Sequence, residues 1–303
     1  MTPKQSLIFV ETLDELEKQR KWIKALFILS FIFFVVAGLM YSSGDIAIAF
    51  GFPRNVLLLG IGFSIFAANK RVYYAKKFKR YIIDYAVNSY FDEVEYKPDL
   101  GLDSDSVYST GMLRKGNVFE SEDLIYGVYK DVPFSQADVR VKIRNGSEQL
   151  SRSIDIFLGR WMIFKFNKSF KCNMQVVERG FYGSKKGRFT SSGEKLKELE
   201  MDDEQFNSAF RVYCENEHEA YYILTPVMMR RMLSLMEKTK GKTMFCFVNN
   251  SLHIAFNNGR NSFEPPIFHR IDVQQIMINS FDDLKVITDF IDELKLDSSV
   301  FKV

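Results

Sequence analysis

Four residues in the second half of the chain have side chains that could ligate a metal ion or carry out thiol chemistry. Cys214 precedes His218 by one helical turn of sequence, and Cys246 and His253 follow on a later segment. Structural zinc sites usually present closely paired ligands at both ends, whereas each end here offers one thiol. The spacing therefore favours small core cysteines over a zinc site. Our alternative function is an enzyme of unrecognised type, with its site around Cys214, His218, His253 and Glu264.

Other catalytic or cofactor motifs are weaker. The glycine-rich stretch 183–189, GSKKGRF, departs from the G-x-x-x-x-G-K-[ST] spacing that cradles phosphate groups, and it reads as a cationic surface loop. The sequence contains no nucleophile elbow, H-E-x-x-H or kinase motif, and it has three histidines. We therefore expect no catalytic residue, no cofactor and no metal ion.

Residues 70–80 carry six cations among several aromatic side chains and no acidic residue. A nucleic-acid-binding strip can look like this. However, the chain up to Arg80 has 12 basic and 5 acidic residues, and the remainder has 29 basic and 33 acidic residues. Because binding to a phosphate backbone needs a cationic face, the acidic remainder argues against a nucleic-acid partner.

The residues before this cationic stretch give it a simpler explanation. Residues 25–41 lack any charge, and residues 56–68 form a second apolar run that its neighbours extend. A helix needs roughly 20 apolar residues to cross a bilayer. We predict membrane spans at about 23–42 and 52–72, joined by a turn at 42–45. Neither span has an ionisable residue at its centre, which argues against a transporter or channel, although two spans could form a pore by oligomerising.

Flanking charge predicts the orientation of these spans, because lysine and arginine near span ends stay on the cytoplasmic side. The loop between the spans carries only Asp45 and Arg54. Both termini should therefore face the cytoplasm, with the protein in the bacterial inner membrane and the lipid bilayer as a partner. Three widely spaced cysteines agree with a reducing compartment. The predicted membrane-flanking cations are Lys21, Lys24, Lys70, Arg71, Lys76 and Lys77.

The rest of the chain predicts an α+β fold. Helical periodicity before and after the spans predicts a pair of amphipathic stem helices, so that residues 1–98 form a membrane hairpin with its stem. Residues 99–303 should form a mixed, mainly antiparallel β-sheet domain with packed helices. A glycine- and serine-rich loop suggests a division into two lobes near 180–200.

Alternating apolar residues predict five strands and one hairpin in this domain. The hairpin covers 243–258 and turns at Asn249-Asn250. Thr225 followed by Pro226 predicts a helix start, since threonine caps helices and proline suits the first turn. The predicted strands are 123–130, 137–143, 154–170, 174–179 and 210–215, and the predicted helices are 225–238 and about 281–294.

Two short patterns remain as candidates for a partner surface. Arg160 and Trp161 follow Gly159, and Phe263 and Glu264 precede a proline. A strand bend and a tight loop explain the same patterns without any function, given the usual roles of glycine and proline. We name these four residues as the candidate partner surface.

The order of these patterns resembles a bacterial membrane family known as domain of unknown function 3137. The resemblance rests on the helical hairpin followed by EDLIYGVYKDVPFSQADV, IFLGRWMIFKFNKSFKCNMQVV, FNSAFRVYCENEHEAYYILTPVMMRRML and FVNNSLHIAFNNGRNSFEPPIF. It would cover nearly the whole chain. The resemblance implies the architecture and the membrane location of the chain, and it implies no activity.

The combined expectation is a membrane-anchored, non-enzymatic interaction, signalling or scaffold module. Its cytoplasmic domain would bind a protein or lipid partner, and two spans are compatible with a homo-oligomer. The identity of that partner is beyond the sequence.

Overall fold

The computed structural model describes residues 3–42, 52–145, 152–167, 169–170, 173–181, 193–239 and 241–297. The predicted α+β class is confirmed, with long apolar helices followed by a nine-stranded antiparallel sheet. By internal contacts the chain forms two compact units. The helical unit comprises residues 1–85 and 264–278, and the sheet unit comprises residues 86–263 and 279–303.

Two long helices dominate the helical unit. Helix α1 covers Pro3–Ser42 and α2 covers Phe52–Phe78, which continues through a π-helical turn at Lys79–Ile83 into α3 at Asp84–Tyr90. Both α1 and α2 are long and apolar enough to cross a membrane. The rings of Phe9 and Tyr85 lie 5.3 Å apart, so the segment before the first predicted span contacts the segment after the second.

Small residues line the contact between α1 and α2. Ser30 is buried, and its hydroxyl donates a hydrogen bond to the Gly60 carbonyl at 2.8 Å. The Ser30 and Ser64 hydroxyl oxygens lie 2.6 Å apart. Ala37 and Ala67 are also buried. Small side chains let the two backbones approach closely, which is how apolar helices pack without large interdigitating side chains.

Gly60 offers a direct test of this packing. A Cβ atom there would lie 3.1 Å from the Phe34 ring and 3.2 Å from Phe33 Cβ, so Gly60→Leu should push the helices apart at a cost of about 1–3 kcal/mol. Disulfide trapping in a Ser30→Cys/Ser64→Cys background measures the separation. Gly60→Leu should lower the yield. Gly62→Leu is the control, because a Cβ at Gly62 meets nothing within 4 Å; equal yields for both variants would contradict the packing.

The sheet unit contains one sheet with the strand order β1-β2-β3-β4-β9-β8-β5-β7-β6. Every neighbouring pair is antiparallel. The strands are β1 Val94–Lys97, β2 Val118–Tyr129, β3 Val132–Asn145, β4 Arg152–Lys165, β5 Met174–Glu178, β6 Lys197–Leu199, β7 Phe210–Cys214, β8 Lys242–Val248 and β9 Ser251–Asn257. The five predicted strands and the predicted hairpin all correspond to observed strands.

Some observed turns and strand ends agree with the predicted positions, and others differ from them. The first hairpin turns at Lys130 and Asp131, both with positive φ, so Pro133 lies inside β3 opposite Val128. The hairpin at Asn249 forms as predicted, with Val248 opposite Ser251. Strand β4 ends at Lys165, before the predicted end at 170.

Four further helices follow β6 in the described part of the chain. These are α5 Glu204–Ala209, α6 Glu217–Ile223, α7 Pro226–Lys238 and α8 Val273–Leu294. The Phe290 ring on α8 lies 6.1 Å from Phe245 and 5.3 Å from Phe256, which places this part of α8 on the face shared by those two residues. Thr225 caps α7 and Pro226 is its first residue, as predicted. Helix α8 starts well before the predicted residue 281.

The opposite face carries a separate apolar cluster. It contains Trp161, Cys246 and Ala255 from the sheet, and the segment around the short helix α4, Ser104–Tyr108, supplies Val107 and Met112. The sheet is therefore buried on both faces in its centre. This is why its central strands read as nearly continuous apolar runs.

The predicted boundary at residue 98 and the division near 180–200 stay predictions. Strands β5 and β7, on either side of 180–200, pair directly in the sheet. The turn predicted at 42–45 lies outside the described residues apart from Ser42. The whole GSKKGRF stretch, 183–189, and Cys172 also lie outside them.

Candidate functional site at the charged end of the helical pair

The predicted membrane-flanking cations lie next to the apolar stretches of the two helices, in the middle of α1 and in the last third of α2. Lys24 donates to the Phe268 carbonyl at 3.3 Å, and the Lys70 ammonium lies 5.5 Å from the centre of the Phe66 ring. Arg71 pairs with Glu264 at 3.5 Å, and Lys77 pairs with Glu15. Lys21 and Lys76 are exposed on the helix surfaces.

The segment 264–278 packs against this part of the helical pair, within the same unit. The Tyr74 hydroxyl donates to the Pro266 carbonyl at 2.8 Å, and Arg20 Nη1 donates to the Ile267 carbonyl at 2.9 Å. Lys79 lies 3.4 Å from the second oxygen of Glu264. Three successive carbonyls, those of Pro266, Ile267 and Phe268, thus accept hydrogen bonds from side chains of the two long helices.

Arg20 and Glu17 form an ion pair at this contact, and two hydrogen bonds join their side chains. Arg20 is buried and donates from Nε to Glu17 at 2.9 Å and from Nη2 at 2.6 Å, and Glu17 also accepts from the Ile271 amide. The Arg20 hydrogen bond lowers the pKa of Glu17, and the same bond raises the pKa of Arg20. Both groups therefore stay charged across the physiological pH range.

A groove lies between α1 and α2 next to this contact. Its volume is about 600 Å³, within the range of about 300–1,000 Å³ that is usual for ligand sites. Its lining is apolar at one end and charged at the other. The lining residues are Glu15, Lys18, Gln19, Trp22, Ile23, Leu26, Phe66, Lys70, Tyr73 and Lys77.

Sequence reasoning missed the contact of 264–278 with the helices. Arg20 and Ile267 are 247 positions apart, and the Arg20 hydrogen bond goes to a backbone carbonyl. Any residue type can supply a backbone carbonyl, so no side-chain pattern marked this contact. The proline after Glu264 indicated only a tight loop there.

The candidate partner surface needs correction at three of its four residues. Arg160 is 4% exposed, Trp161 is 0% exposed and Phe263 is 8% exposed, so none of them offers a surface to a partner. Arg160 and Trp161 lie on a central strand with neighbours on both sides. Only Glu264 has a substantially exposed side chain, and it belongs to the helical unit.

Arg160 instead joins a polar network inside the sheet unit. Its Nη2 donates to the Ser262 hydroxyl at 2.7 Å, and its Nη1 donates to the Asp283 carbonyl at 2.6 Å. Buried Asp138, directly opposite Arg160 on β3, accepts from the Ser262 hydroxyl at 3.0 Å and from the Ser262 amide. The guanidinium also stacks 5.8 Å from the Phe263 ring centre. This network holds the loop after β9 and α8 to the sheet.

The alternative catalytic group is not brought together. Cys246 lies opposite His253, whereas Cys214 aligns through Met174 with Phe247, the residue next to Cys246. Because successive strand residues point to opposite faces, Cys214 and His253 lie on opposite faces of the sheet. His218 is exposed on α6, outside the sheet. Glu264 belongs to the helical unit.

The chemistry of these groups is that of core residues. The Trp161 indole donates to His253 Nδ1 at 3.2 Å, and burial lowers the pKa of His253 to about 4. Burial also raises the pKa of the Cys214 thiol, which disfavours the reactive thiolate. Within the described residues, no cluster of three or more histidine, cysteine or acidic side chains could hold a metal ion.

Comparison with known proteins gives a family match for one part of the chain. Residues 155–296 match the model of a family described as "Protein of unknown function (DUF3137)", which confirms the resemblance over this range. No curated protein matches the chain. A crystal structure of the mycobacterial trehalose monomycolate transport factor A, TtfA, is similar with a TM-score of 0.37 and 10% identity, and it covers 73% of this chain and 94% of that chain.

Proposed function

We propose that this chain, whose residues 155–296 match a family of unknown function, is a two-span inner-membrane protein with both termini in the cytoplasm. In the cytoplasm its sheet unit binds a protein or lipid partner and catalyses no reaction. The membrane anchor is supported by the exposure of large apolar side chains along α1 and α2. Examples are Phe31, Leu39, Leu58 and Ile65, which are 67%, 63%, 57% and 59% exposed.

The low burial of the two apolar helices favours a membrane anchor over a soluble protein with two core helices. Only 17% and 11% of the residues in the two most apolar windows are buried. A core helix would be mostly buried, and a water-exposed apolar surface of this extent would drive aggregation. Helices that satisfy their own backbone hydrogen bonds are one of the two structures that lipid accepts.

The orientation rests on charge beside the apolar stretches. The six flanking cations lie on the same side of these stretches as Arg20 and the segment 264–278. Lysine and arginine are retained on the cytoplasmic side, so this side and the residues following it belong there.

Membrane topology is tested by accessibility of single cysteines in a background without Cys172, Cys214 and Cys246. Ser43→Cys in the short loop should react with a membrane-impermeant maleimide in cells with a permeabilised outer membrane. The control Glu198→Cys, on β6, should react only after the inner membrane is opened. The chain should also stay in the pellet during alkaline carbonate extraction. Release into the supernatant, or labelling of Glu198→Cys in sealed cells, would overturn the anchor or its orientation.

Partner binding is tested by purification of the tagged full-length chain from mild-detergent extracts, beside a chain that starts at Tyr81. Stoichiometric co-purification of one protein with either form supports the interaction module. A small molecule or metal ion that travels with the sheet unit, with no protein retained, would contradict it and favour the enzymatic alternative. Light scattering on the same preparation reports whether the chain forms a homo-oligomer.

A further inference from the structure

The groove between α1 and α2 has an uneven distribution of charge. Of its lysines, Lys77 pairs with Glu15, and this hydrogen bond lowers the pKa of Glu15. Lys18 and Lys70 are exposed and form no ion pair with a carboxylate in the part of the chain that the structure describes. The groove lining therefore carries three lysines and one carboxylate, Glu15, and this excess of positive charge is the complement of an anionic ligand.

Polarity changes along the groove in the direction of the helix axes. Leu26 and Phe66 line one end, and Glu15 and Lys77 line the other. On α1, the distance from Leu26 to Glu15 is about 16 Å at 1.5 Å per residue. A ligand that fills this groove must be apolar at one end and anionic at the other.

The aromatic side chains lie between these ends. Trp22 and Tyr73 line the groove and are 72% and 80% exposed, although both are large rings. Such rings are typical of the level of lipid headgroups, where the ring body is apolar and the polar edge meets water.

We propose that this groove binds the headgroup of an anionic phospholipid of the cytoplasmic leaflet, with the phosphate between Lys18 and Lys70 and the first part of an acyl chain along Leu26 and Phe66. The inference rests on the proposed membrane anchor. A protein side chain would satisfy the charge, but it would not match the polarity gradient along the bilayer normal. A free phosphate ion would leave the apolar end unfilled.

The test uses the full-length chain in vesicles of phosphatidylcholine with graded amounts of phosphatidylglycerol. After extraction in mild detergent, mass spectrometry counts both lipids retained per protein. Wild type should retain phosphatidylglycerol in excess of its fraction in the vesicle. Lys18→Gln/Lys70→Gln should lower this preference by about ten- to thirtyfold. Lys21→Gln/Lys76→Gln is the matched control, because it removes the same charge from flanking lysines outside the groove lining, and it should leave most of the preference.

A second measurement does not depend on extraction. In a Trp161→Phe background, Trp22 is the remaining tryptophan, and brominated phosphatidylglycerol should quench it more than brominated phosphatidylcholine at equal fraction. Lys18→Gln/Lys70→Gln should remove this difference. Excess inorganic phosphate should leave it unchanged, and displacement by phosphate would overturn the lipid assignment.

The two proposals fail in different ways. If the chain is not a membrane protein, it will not enter the vesicles and will retain neither lipid. If it enters them and retains the two lipids in the bulk ratio, the anchor stands and the groove proposal is wrong. Equal losses in both double variants would also overturn the groove, because general attraction to the surface would then explain the preference.

Discussion

Arg160→Ala is expected to lower the free energy of unfolding of the sheet unit by about 3–5 kcal/mol, because two hydrogen bonds from a buried charged donor are lost. The guanidinium is buried, and its two short hydrogen bonds reach the Ser262 hydroxyl and the Asp283 carbonyl. Removing it leaves the Ser262 hydroxyl and the Asp283 carbonyl without their charged donor, and it breaks the ion pair between Arg160 and the Asp283 carboxylate at 3.4 Å. Hydrogen bonds to charged groups contribute more than neutral ones, and a buried group left unsatisfied adds its desolvation penalty.

Arg140→Ala provides the matched control. Arg140 also lies on the sheet and pairs with an aspartate, Asp155, at 2.9 Å, but both side chains of that pair are more than one third exposed. An exposed pair contributes about 0–1 kcal/mol. The measurement is urea unfolding of the full-length chain in detergent, followed by Trp161 fluorescence in a Trp22→Phe background. If the two arginine variants lose equal stability, the buried network does not hold the loop and α8 to the sheet.

Acidification from pH 6.5 to pH 4 is expected to destabilise the sheet unit through His253 by up to about 3 kcal/mol. Burial lowers the pKa of His253 from 6.5 to about 4, with a smaller contribution from Lys165. Between these values the unfolded chain binds a proton that the folded chain does not. Stability from this group is therefore fully present above pH 6.5 and is lost as the pH falls through that interval.

His253→Gln isolates this contribution from the carboxylates that titrate in the same interval. Glutamine has an amide oxygen that can accept from the Trp161 indole, and it does not titrate. The quantity to compare is the slope of unfolding free energy against pH, measured in the same fluorescence assay. The wild-type slope should exceed the His253→Gln slope between pH 4 and 6.5. Parallel slopes would show that His253 is charged or accessible in the folded protein.

Local sequence patterns predicted much of this fold for identifiable reasons. Apolar runs of strand length marked the central strands, because both faces of those strands are buried. Thr225 with Pro226 marked a helix start because a hydroxyl satisfies an unpaired amide there and proline needs none. The start of α8 at Val273 was missed although a cap precedes it, in which the carboxylate of Asp272 accepts from the Gln275 amide at 3.1 Å.

The candidate sites were predicted less well, and the reason is the same in each case. Arg160 looked like an exposed residue because arginine usually is, yet Asp138 and Ser262 provide it with a buried polar environment. Cys214 and His253 looked like possible partners because sequence spacing does not show which face of a sheet a residue occupies. Strand register decides that, and a shift of one residue reverses it.

The sequence by itself determined the properties that depend on one segment at a time: two apolar helices of membrane length, cations at their ends, and an α+β class for the remainder. These follow from how each side chain partitions between water and an apolar medium, which needs no knowledge of neighbours. Only the tertiary structure decided that 264–278 joins the helical unit through Arg20 and Tyr74, and that Lys18 and Lys70 lie in one groove. Those contacts link segments far apart in the chain, and their free energy exists only when the chain has folded.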